Sequence, residues 1–344
     1  MRISEFDYHL PEELIAQKPL PNRDASRMLV VDRKSKTWVD SHFSKFPNYL
    51  HTSDVVALNN TRVVPARLLG NRAGTGGRVE ILLVRNIQGQ LWECLVRPGN
   101  RLKAGSIVVF GNGRLSARIL DQPGQELRHA EFQHTEPFER LLNELGSTPL
   151  PPYIKRNSFE DAADRERYQT IYSHSSGAIA APTAGLHFSP EIMSRMREIA
   201  SVSEITLHVG YGTFEPVRVD EVENHSVSAE KFEITDLAAR LINEAKQNGR
   251  RIVAVGTTTV RALESSGAQS GSVASGEGWA SVTIIPGYHF KIVDALLTNF
   301  HLPRSSLLLL VSAFAGRDLI LAAYEHAVRQ QYRFYSYGDC MLIL

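Results

Sequence analysis

The sequence predicts an α/β protein in which a barrel-like domain of βα units carries an inserted antiparallel β-barrel domain. Apolar, strand-like runs alternate with amphipathic, helix-like runs over the second half of the chain. Residues 62–134 instead form short runs separated by Gly- and Pro-rich turn sequences, without helical periodicity. The same segment carries eleven Lys and Arg against five Asp and Glu, inside a chain whose net charge is +1.

The composition indicates a globular protein of about two domains. The 344 residues are 43% hydrophobic and 22% charged, which is ordinary for a folded protein with a sizeable core. Cys94 and Cys340 lie too far apart in sequence to suggest a disulfide framework, which indicates a reducing compartment. The first residues contain no apolar signal region, and the longest apolar run is too short to cross a bilayer. We therefore expect a cytoplasmic protein without a membrane segment.

The predicted insert spans residues 62–150. Its excess of positive charge is typical of a surface that binds a polyanion, but an arginine-rich, solvated barrel surface would have the same composition. The segment PLPPYIKR at 149–156 is interpreted as a stiff polyproline connection back to the first domain.

The predicted α/β domain comprises residues 1–61 and 151–344. Ser189 and Pro190 are typical of a helix start after the strand GAIAA, and a further helix is expected between Thr235 and Gly249. The remaining predicted units are the strand SEITLHVG, the strand IVAV with the helix TTTVRALESSG, the strand SVTIIPGY, and the strand SLLLLVSAFAG with the helix RDLILAAYEHAVRQQY. This alternation predicts a largely parallel sheet.

Four loops at predicted strand ends are candidate ligand-binding segments, because ligands of α/β proteins bind at the carboxyl ends of the strands. They are APTAGLHF, GYGTFEPV, GTTTVR and TNFHLP. His187, His208 and His301, with Thr183 and Asn299, are expected to meet at one rim and form an active site. GTTTVR begins a helix, so it suits an anion such as a carboxylate, although threonines there also cap helices.

Several common sites are excluded by pattern. GYGTFE lacks the third glycine of a dinucleotide-binding loop, because Glu215 stands in its place, and no helix-like run follows. Neither a P-loop nor the acidic Gly-x-Gly loop of common methyltransferases is found. The histidines lack metal-ligand spacing, so we expect no metal.

Ten long motifs resemble one family. The chain is similar to the bacterial S-adenosylmethionine:tRNA ribosyltransferase-isomerases from residue 3 to its C-terminus, with minor departures at Cys340 and in the loop 268–278. The motifs include LNNTRVVPARLLG, PLPPYIKR, GAIAAPTAGLHFS, TLHVGYGTFEPV, VGTTTVRALES, TNFHLPRSSLLLLVSAFAG and YRFYSYGDCMLI.

The resemblance implies a specific reaction in queuosine biosynthesis. Members transfer and isomerise the ribosyl part of S-adenosylmethionine onto 7-aminomethyl-7-deazaguanine at the tRNA wobble position. The product is epoxyqueuosine, and adenine and methionine are released. S-adenosylmethionine is thus a consumed substrate and no cofactor is expected. The expected partners are the modified tRNA and S-adenosylmethionine, and we expect a monomer.

The resemblance also gives roles to individual residues. His187 and His208 are candidate bases, because the sulfonium acidifies the adjacent 5′ carbon. Glu215, or another carboxylate near it, is a candidate to balance the sulfonium charge. The predicted substrate-binding residues are Thr183, Gly185, Gly210, Gly212, Thr213, Glu215, Thr257, Thr258, Arg261, Asn299 and His301. The predicted tRNA-binding residues are Arg62, Arg67, Arg97, Arg101, Lys103, Lys155 and Arg156, of which Arg67 and Lys155 have the alternative of pairing with carboxylates.

Two other functions stay open at this point. An RNA-binding module without activity would explain the basic insert but would leave the strand-end loops without a role. An S-adenosylmethionine-dependent methyltransferase would need a loop that is not found. The three functions differ in their small-molecule products.

Overall fold

The computed structural model describes residues 1–121, 126–156, 162–214 and 217–344. Glu215, predicted to bind substrate, lies outside the described residues. The side chains of Arg101 and Thr213, predicted to bind tRNA and substrate, also lie outside the described part.

The described residues form eighteen strands and seven α-helices, besides nine short 3-10 helices. The strands are β1 (Arg27–Asp32), β2 (Thr37–His42), β3 (Val55–Asn59), β4 (Thr61–Val63), β5 (Arg67–Arg72), β6 (Arg78–Gln88), β7 (Leu91–Arg97), β8 (Ile107–Phe110), β9 (Leu115–Ile119), β10 (Arg128–His134), β11 (Gly146–Ser147), β12 (Ser175–Ala178), β13 (Ser201–Leu207), β14 (Glu230–Ile234), β15 (Ile252–Val255), β16 (Gly276–Ala280), β17 (Ala295–Asn299) and β18 (Cys340–Ile343). The helices are α1 (Phe138–Leu145), α2 (Ala162–Arg167), α3 (Pro190–Ile199), α4 (Asp236–Gln247), α5 (Thr257–Gly267), α6 (Ser306–Ala315) and α7 (Arg317–Arg329).

A nine-stranded mixed sheet carries the α/β part of the molecule. Its strand order is β16-β14-β13-β3-β15-β17-β18-β1-β2. The central strands β13, β3, β15 and β17 run parallel to one another, whereas β14, β16 and β2 pair antiparallel at the two sides. The expectation of a largely parallel sheet therefore holds for the centre and not for the flanks, where β18 also pairs antiparallel with β17.

Both faces of this sheet are buried. Val55 and Ala57 of β3 pack with α4, α5, α6 and α7, while Val56 and Leu58 pack on the other face with α3 and the turn around Phe43. Successive side chains of a strand point to opposite faces, so each strand contributes to two cores. This explains why the central strands read as continuous apolar runs.

The basic segment closes into a barrel. Six antiparallel strands follow the order β5-β6-β7-β10-β9-β8, a β5–β8 pairing closes the ring, and β11 pairs with β5 outside it. Its interior holds fully buried apolar residues such as Leu68, Ile81, Cys94 and Phe132. The predicted fold class, α/β with an inserted antiparallel barrel, is confirmed. The limits 62–150 stay a prediction; the six barrel strands themselves lie between Arg67 and His134.

The two predicted N-terminal helix caps, Ser189 and Thr235, are confirmed. The Ser189 hydroxyl accepts a hydrogen bond from the Ile192 amide at 3.3 Å, with Pro190 as the first residue of α3. The Thr235 hydroxyl accepts from the Ala238 amide at 3.2 Å at the start of α4. These bonds satisfy amides that the first helical turn leaves without a partner.

Three local predictions are wrong. SLLLLVSAFAG is not a strand but helix α6, capped by Ser305, and it is so apolar because most of its residues are buried. SVTIIPGY is irregular, and the strand lies just before it as β16. PLPPYIKR contains a turn in which the Ile154 amide donates to the Pro151 carbonyl at 3.0 Å, so it is not one extended segment.

Helices α6 and α7 meet at a bend of 116°. Within the described residues no single helix is long and apolar enough to cross a membrane, and only this bent pair meets the length and composition that a span requires.

Candidate active site

A cavity of about 500 Å³ opens where β15 and β17 end. Small-molecule sites typically have about 300–1,000 Å³. Seven of the predicted substrate-binding residues line it: Thr183, Gly212, Thr257, Thr258, Arg261, Asn299 and His301. The strand-end rule therefore brings together residues from four separate loops, as expected.

Two predicted glycines support the wall without lining the cavity. Gly185 packs so closely on Tyr172 that an added Cβ would lie 2.1 Å from the tyrosine oxygen. The Gly210 amide donates to Glu230 Oε1 at 2.8 Å. Both positions fix the shape of a loop beside the cavity.

The first turn of α5 faces the cavity without a side-chain cap. Gly256 precedes the helix with φ of 89°, a conformation that favours glycine. The Thr258 hydroxyl accepts from Asn59 Nδ2 at 3.2 Å, and the Thr259 hydroxyl donates to the Val255 carbonyl at 2.6 Å. Neither hydroxyl therefore caps the helix, and the first amides remain available to an anion.

A buried ion pair forms part of the same wall. Arg261 on α5 pairs through Nη1 with Glu230 on β14, and its Nη2 donates to the carbonyls of Ala280 at 2.6 Å and Ser228 at 3.1 Å. Because Glu230 also accepts from the Gly210 amide, the pair joins α5, β14 and the GYGTF loop. The guanidinium is thereby held rigidly at the cavity edge.

Asn299 and His301 follow β17 into the cavity. Asn299 Nδ2 donates to the Tyr335 carbonyl at 2.9 Å, while its buried Oδ1 has no hydrogen-bond partner among the described residues. His301 Nε2 lies 3.0 Å from the Thr298 hydroxyl. Burial lowers the pKa of His301 to about 3, so its imidazole is neutral at pH 7.

His225 is a cavity residue that the sequence analysis missed. Its Nε2 lies 2.7 Å from the Ser306 hydroxyl at the start of α6, and burial lowers its pKa below the ordinary value of 6.5. It lies in an irregular segment between β13 and β14, which no strand-end pattern marks. Two neutral imidazoles, His225 and His301, therefore contribute to the cavity wall.

His187, one of the two predicted bases, lies outside the cavity lining. It is 3% exposed, its Nδ1 lies 2.9 Å from the Ser26 hydroxyl, and its ring packs on Phe43 at 5.3 Å between centroids. Burial lowers its pKa to about 4, which the neighbouring Asn299 side chain partly opposes. The imidazole thus stands next to a cavity residue and does not itself line the cavity.

The lowered pKa of His187 predicts a loss of stability in acid. Between pH 6.5 and about 4, the unfolded chain binds a proton on this side chain that the folded chain does not, so acidification favours unfolding. We expect the free energy of unfolding to fall by about 1.4 kcal/mol per pH unit from this group alone. In urea unfolding series at several pH values, His187→Gln should show a shallower dependence than the unmodified protein. His51→Gln, at an exposed position, serves as control, and an equal slope in all three proteins would contradict the prediction.

His208, the other predicted base, also lies outside the cavity lining. Its Nδ1 lies 2.9 Å from the Thr61 hydroxyl. Its ring fills the space beside Gly177, where an added Cβ would lie 2.7 Å from the imidazole. The catalytic roles of His187 and His208 stay predictions.

The predicted tRNA-binding residues divide by their contacts. Arg67 pairs with Glu80 at 2.6 Å, Lys155 with Glu12 at 2.5 Å, and the largely buried Arg156 forms a two-pronged pair with Asp164 at 2.6 and 2.8 Å. For Arg67 and Lys155 the structure therefore contains the alternative contact, an ion pair with a carboxylate. The side chains of Arg62, Arg97 and Lys103 are exposed, and contact of any of these residues with RNA stays a prediction.

Comparison with known proteins identifies one family. The family described as queuosine biosynthesis protein matches residues 3–343. Relatives named S-adenosylmethionine:tRNA ribosyltransferase-isomerase are 50% identical in Natranaerobius thermophilus, over all of this chain and 99% of the relative, and 52% identical in Moorella thermoacetica, over the full length of both. The crystal structure of S-adenosylmethionine tRNA ribosyltransferase from Thermotoga maritima is 37% identical, with a TM-score of 0.56 over 99% of this chain and 100% of that one. The chain therefore belongs to the queuosine biosynthesis protein family, as the resemblance of its motifs predicts.

Proposed function

We propose that the protein transfers and isomerises the ribosyl part of S-adenosylmethionine onto 7-aminomethyl-7-deazaguanine at the wobble position of tRNA. The products are epoxyqueuosine in tRNA, adenine and methionine. The names of the relatives support the enzyme class. The observation that carries the proposal is the cavity, where the open first turn of α5 and the unpartnered Asn299 Oδ1 meet two neutral histidines.

The cavity suits a donor that combines a carboxylate, a sulfonium and an adenine. The free amides of the α5 first turn can bind the methionine carboxylate, since a helix N-terminus attracts negative charge. Asn299 Oδ1 and the Nε2 of the neighbouring His187 are both buried without a partner among the described residues that meets hydrogen-bond geometry. A hydroxyl or amine of S-adenosylmethionine can bond to Asn299 Oδ1, which removes the cost of a buried oxygen without a partner. The Glu230 carboxylate already accepts hydrogen bonds from Arg261 and the Gly210 amide, so its role is to stabilise the cavity wall.

Proton removal begins the proposed reaction. The positive sulfonium makes the hydrogens on the adjacent 5′ carbon more acidic, and a neutral imidazole beside that carbon can accept one. Among the histidines, His225 and His301 line the cavity, so these two are our candidates for the base. Burial lowers the pKa of both, so both rings are neutral at neutral pH. His301, whose pKa falls to about 3, is a weak proton acceptor, which favours His225 as the base.

S-adenosylmethionine is consumed in this proposal, and no metal or other cofactor takes part. We also infer that the enzyme acts in the cytoplasm, where tRNA is modified, and as a monomer.

Product analysis tests the proposed function. The protein should release adenine and methionine in equal amounts when it is incubated with S-adenosylmethionine and an anticodon stem-loop that carries the deazaguanine amine. Mass spectrometry of the small molecules identifies both products. Formation of S-adenosylhomocysteine would indicate a methyltransferase. RNA binding without loss of S-adenosylmethionine would indicate a binding module, and either result would overturn the proposal.

The positive charge of the barrel predicts a salt-dependent contribution to RNA binding. Neutralising Arg97, Arg101 and Lys103 together should weaken binding of the stem-loop and flatten the dependence of log K on log salt, by about 0.7–0.9 for each phosphate that the variant no longer binds. S-adenosylmethionine binding should not change. Fluorescence anisotropy at several KCl concentrations measures both affinity and slope.

A second triple variant, with the same change in net charge outside the barrel, controls for the effect of the total charge of the protein on RNA binding. Arg240, Arg250 and Arg329 are exposed in the α/β domain, and their replacement by glutamine should leave the slope nearly unchanged. If the two triple variants behave alike, the barrel contributes no specific phosphate contacts.

A further inference from the structure

A second, smaller cleft adjoins the cavity. Arg23, Arg167 and His187 line it, and Ser336 lines both the cleft and the cavity. The cleft encloses only about 20 Å³, which is too little for a free metabolite to enter. Any ligand of this cleft must therefore rest against its mouth.

Two arginines line this cleft and a third, from another part of the chain, lies next to it. Arg23 and Arg167 lie on its wall, and Arg333 donates to the carbonyl of Lys18, the residue before the cleft residue Pro19. They come from the segments KPLPNRDASR, RYQTIYS and YRFYSYGD. The site described above gives none of the three a role.

None of the three guanidiniums forms an ion pair with a carboxylate of the described residues. Arg23 donates to the carbonyls of Leu186 at 3.1 Å and Glu166 at 3.2 Å. Arg167 donates to the carbonyls of Pro21 at 3.1 Å and Leu20 at 2.6 Å.

Arg333 follows the same pattern. It donates to the Lys18 carbonyl, and the carboxylate of Asp339 is occupied by the amides of Arg27 and Arg333 itself. Main-chain carbonyls thus hold all three side chains in place without a direct ion pair in the described part of the chain, while the charges of Glu166 and Asp339 partly offset those of Arg23 and Arg333.

Two of their nitrogens are buried without an acceptor. Arg167 Nε and Arg333 Nη1 have no hydrogen-bond partner among the described residues. Burial lowers the pKa of Arg23 and Arg333, and the charge of Arg167 acts on Arg23 in the same direction. Arg23 and Arg167 are like charges held together and partly out of water, which is costly unless an anion joins them.

We propose that Arg23 and Arg167, with Arg333 next to them, form a phosphate-binding site that takes one phosphodiester of the RNA while the base beside it enters the cavity. The inference rests on the proposed function for the identity of the RNA. Guanidinium groups match phosphate oxygens with paired N–H donors. A chain phosphate can sit at the mouth of a cleft that no free molecule can enter, and the shared Ser336 places it next to the reacting group.

Binding of the anticodon stem-loop tests this site. Arg23→Gln and Arg167→Gln should each weaken binding, and each should reduce the slope of log K against log KCl by about one. Arg329→Gln, at an exposed position on α7, makes the same change in charge and should leave the slope unchanged. Slopes equal to that of the unmodified protein in both cleft variants would overturn the proposal.

Lysine variants separate charge from loop structure, because Arg23 and Arg167 also hold main-chain carbonyls. Arg23→Lys and Arg167→Lys keep the charge and should restore most of the salt slope that the glutamine variants lose. If lysine and glutamine variants lose the same slope, the arginines act only on the loops, and the phosphate site is refuted.

Separate measurements distinguish this inference from the proposed function. Donor consumption by the unmodified protein tests the reaction, whereas the salt slope tests the cleft without any chemistry. Normal consumption with unchanged slopes in the variants would refute the cleft alone. Absent consumption with reduced slopes would refute the reaction and support a phosphate contact. A further contrary result would be that inorganic phosphate raises the melting temperature of the protein while the RNA salt slopes of the cleft variants stay unchanged. That result would show that the cleft binds a free anion and not a phosphodiester of RNA, and it would overturn the proposal.

Discussion

His225→Gln or His301→Gln is expected to lower turnover of the proposed ribosyl transfer by about 10²–10⁴-fold, the range for loss of a general base. The residue that acts as the base should show this loss, while binding of S-adenosylmethionine changes much less. Both imidazoles line the cavity, and glutamine keeps a polar group of similar size without an accepting ring nitrogen. Single-turnover release of adenine measures the chemical step, and equilibrium dialysis measures donor binding.

His187→Gln and His208→Gln are the matched controls. Both side chains lie outside the cavity lining, bonded to Ser26 and Thr61, so their replacement should leave the chemical step nearly intact. A large loss in either control with normal turnover in the cavity variants would restore the base role to the sequence-predicted pair. The pH profile adds a check, because burial lowers the pKa of His225. Turnover should fall only when the pH drops below 6.5 and the ring becomes protonated.

Glu230→Ala is expected to reduce the free energy of unfolding by about 3–5 kcal/mol, as for other buried ion pairs that lose one partner. Arg261 would stay buried without its counter-charge, and the Gly210 amide would lose its acceptor. Urea unfolding measures the change. Donor affinity should fall as well, because the freed guanidinium and the GYGTF loop both border the cavity.

Glu277→Ala provides the comparison on the adjacent strand. Glu277 pairs with Lys231 at 2.8 Å, but both side chains are exposed, with 63% and 46% of their surfaces accessible. Exposed pairs contribute about 0–1 kcal/mol, so this variant should be nearly as stable as the unmodified protein. Similar losses in both variants would show that the buried pair has no special structural role.

Sequence patterns located much of the cavity because strand ends and helix starts leave local marks. The strand IVAV, Gly256 and the threonines that follow identify the β15–α5 junction without any tertiary information. The same reasoning placed Asn299 and His301 at this rim, although it assigned the wrong strand to them. Asn299 is the last residue of β17, and the run SLLLLVSAFAG that follows is helix α6. That run failed as a strand prediction because α6 is apolar on nearly all sides, which removes the period of 3.6 residues.

Other parts of the site depend on contacts that no local pattern encodes. His225 reaches the cavity through a bond to Ser306, 81 residues later in the chain. His187 looked like an active-site residue because it shares a loop with Thr183, yet the loop turns so that Pro182, Thr183 and Ala184 line the cavity and His187 does not. The side to which a loop residue points is decided by tertiary packing, here against Phe43.

The position of β18 has a consequence for how the protein is made. This last strand lies between β17 and β1, so the large sheet is split until residues 340–343 have been synthesised. The six barrel strands end at His134, and domains fold as units in the order in which the ribosome releases them. During translation the barrel can close early, while β1, paired with β2 on one side, waits for its second partner more than 300 residues away. A stop codon that removes only the last five residues should therefore leave a folded barrel attached to an unfinished sheet.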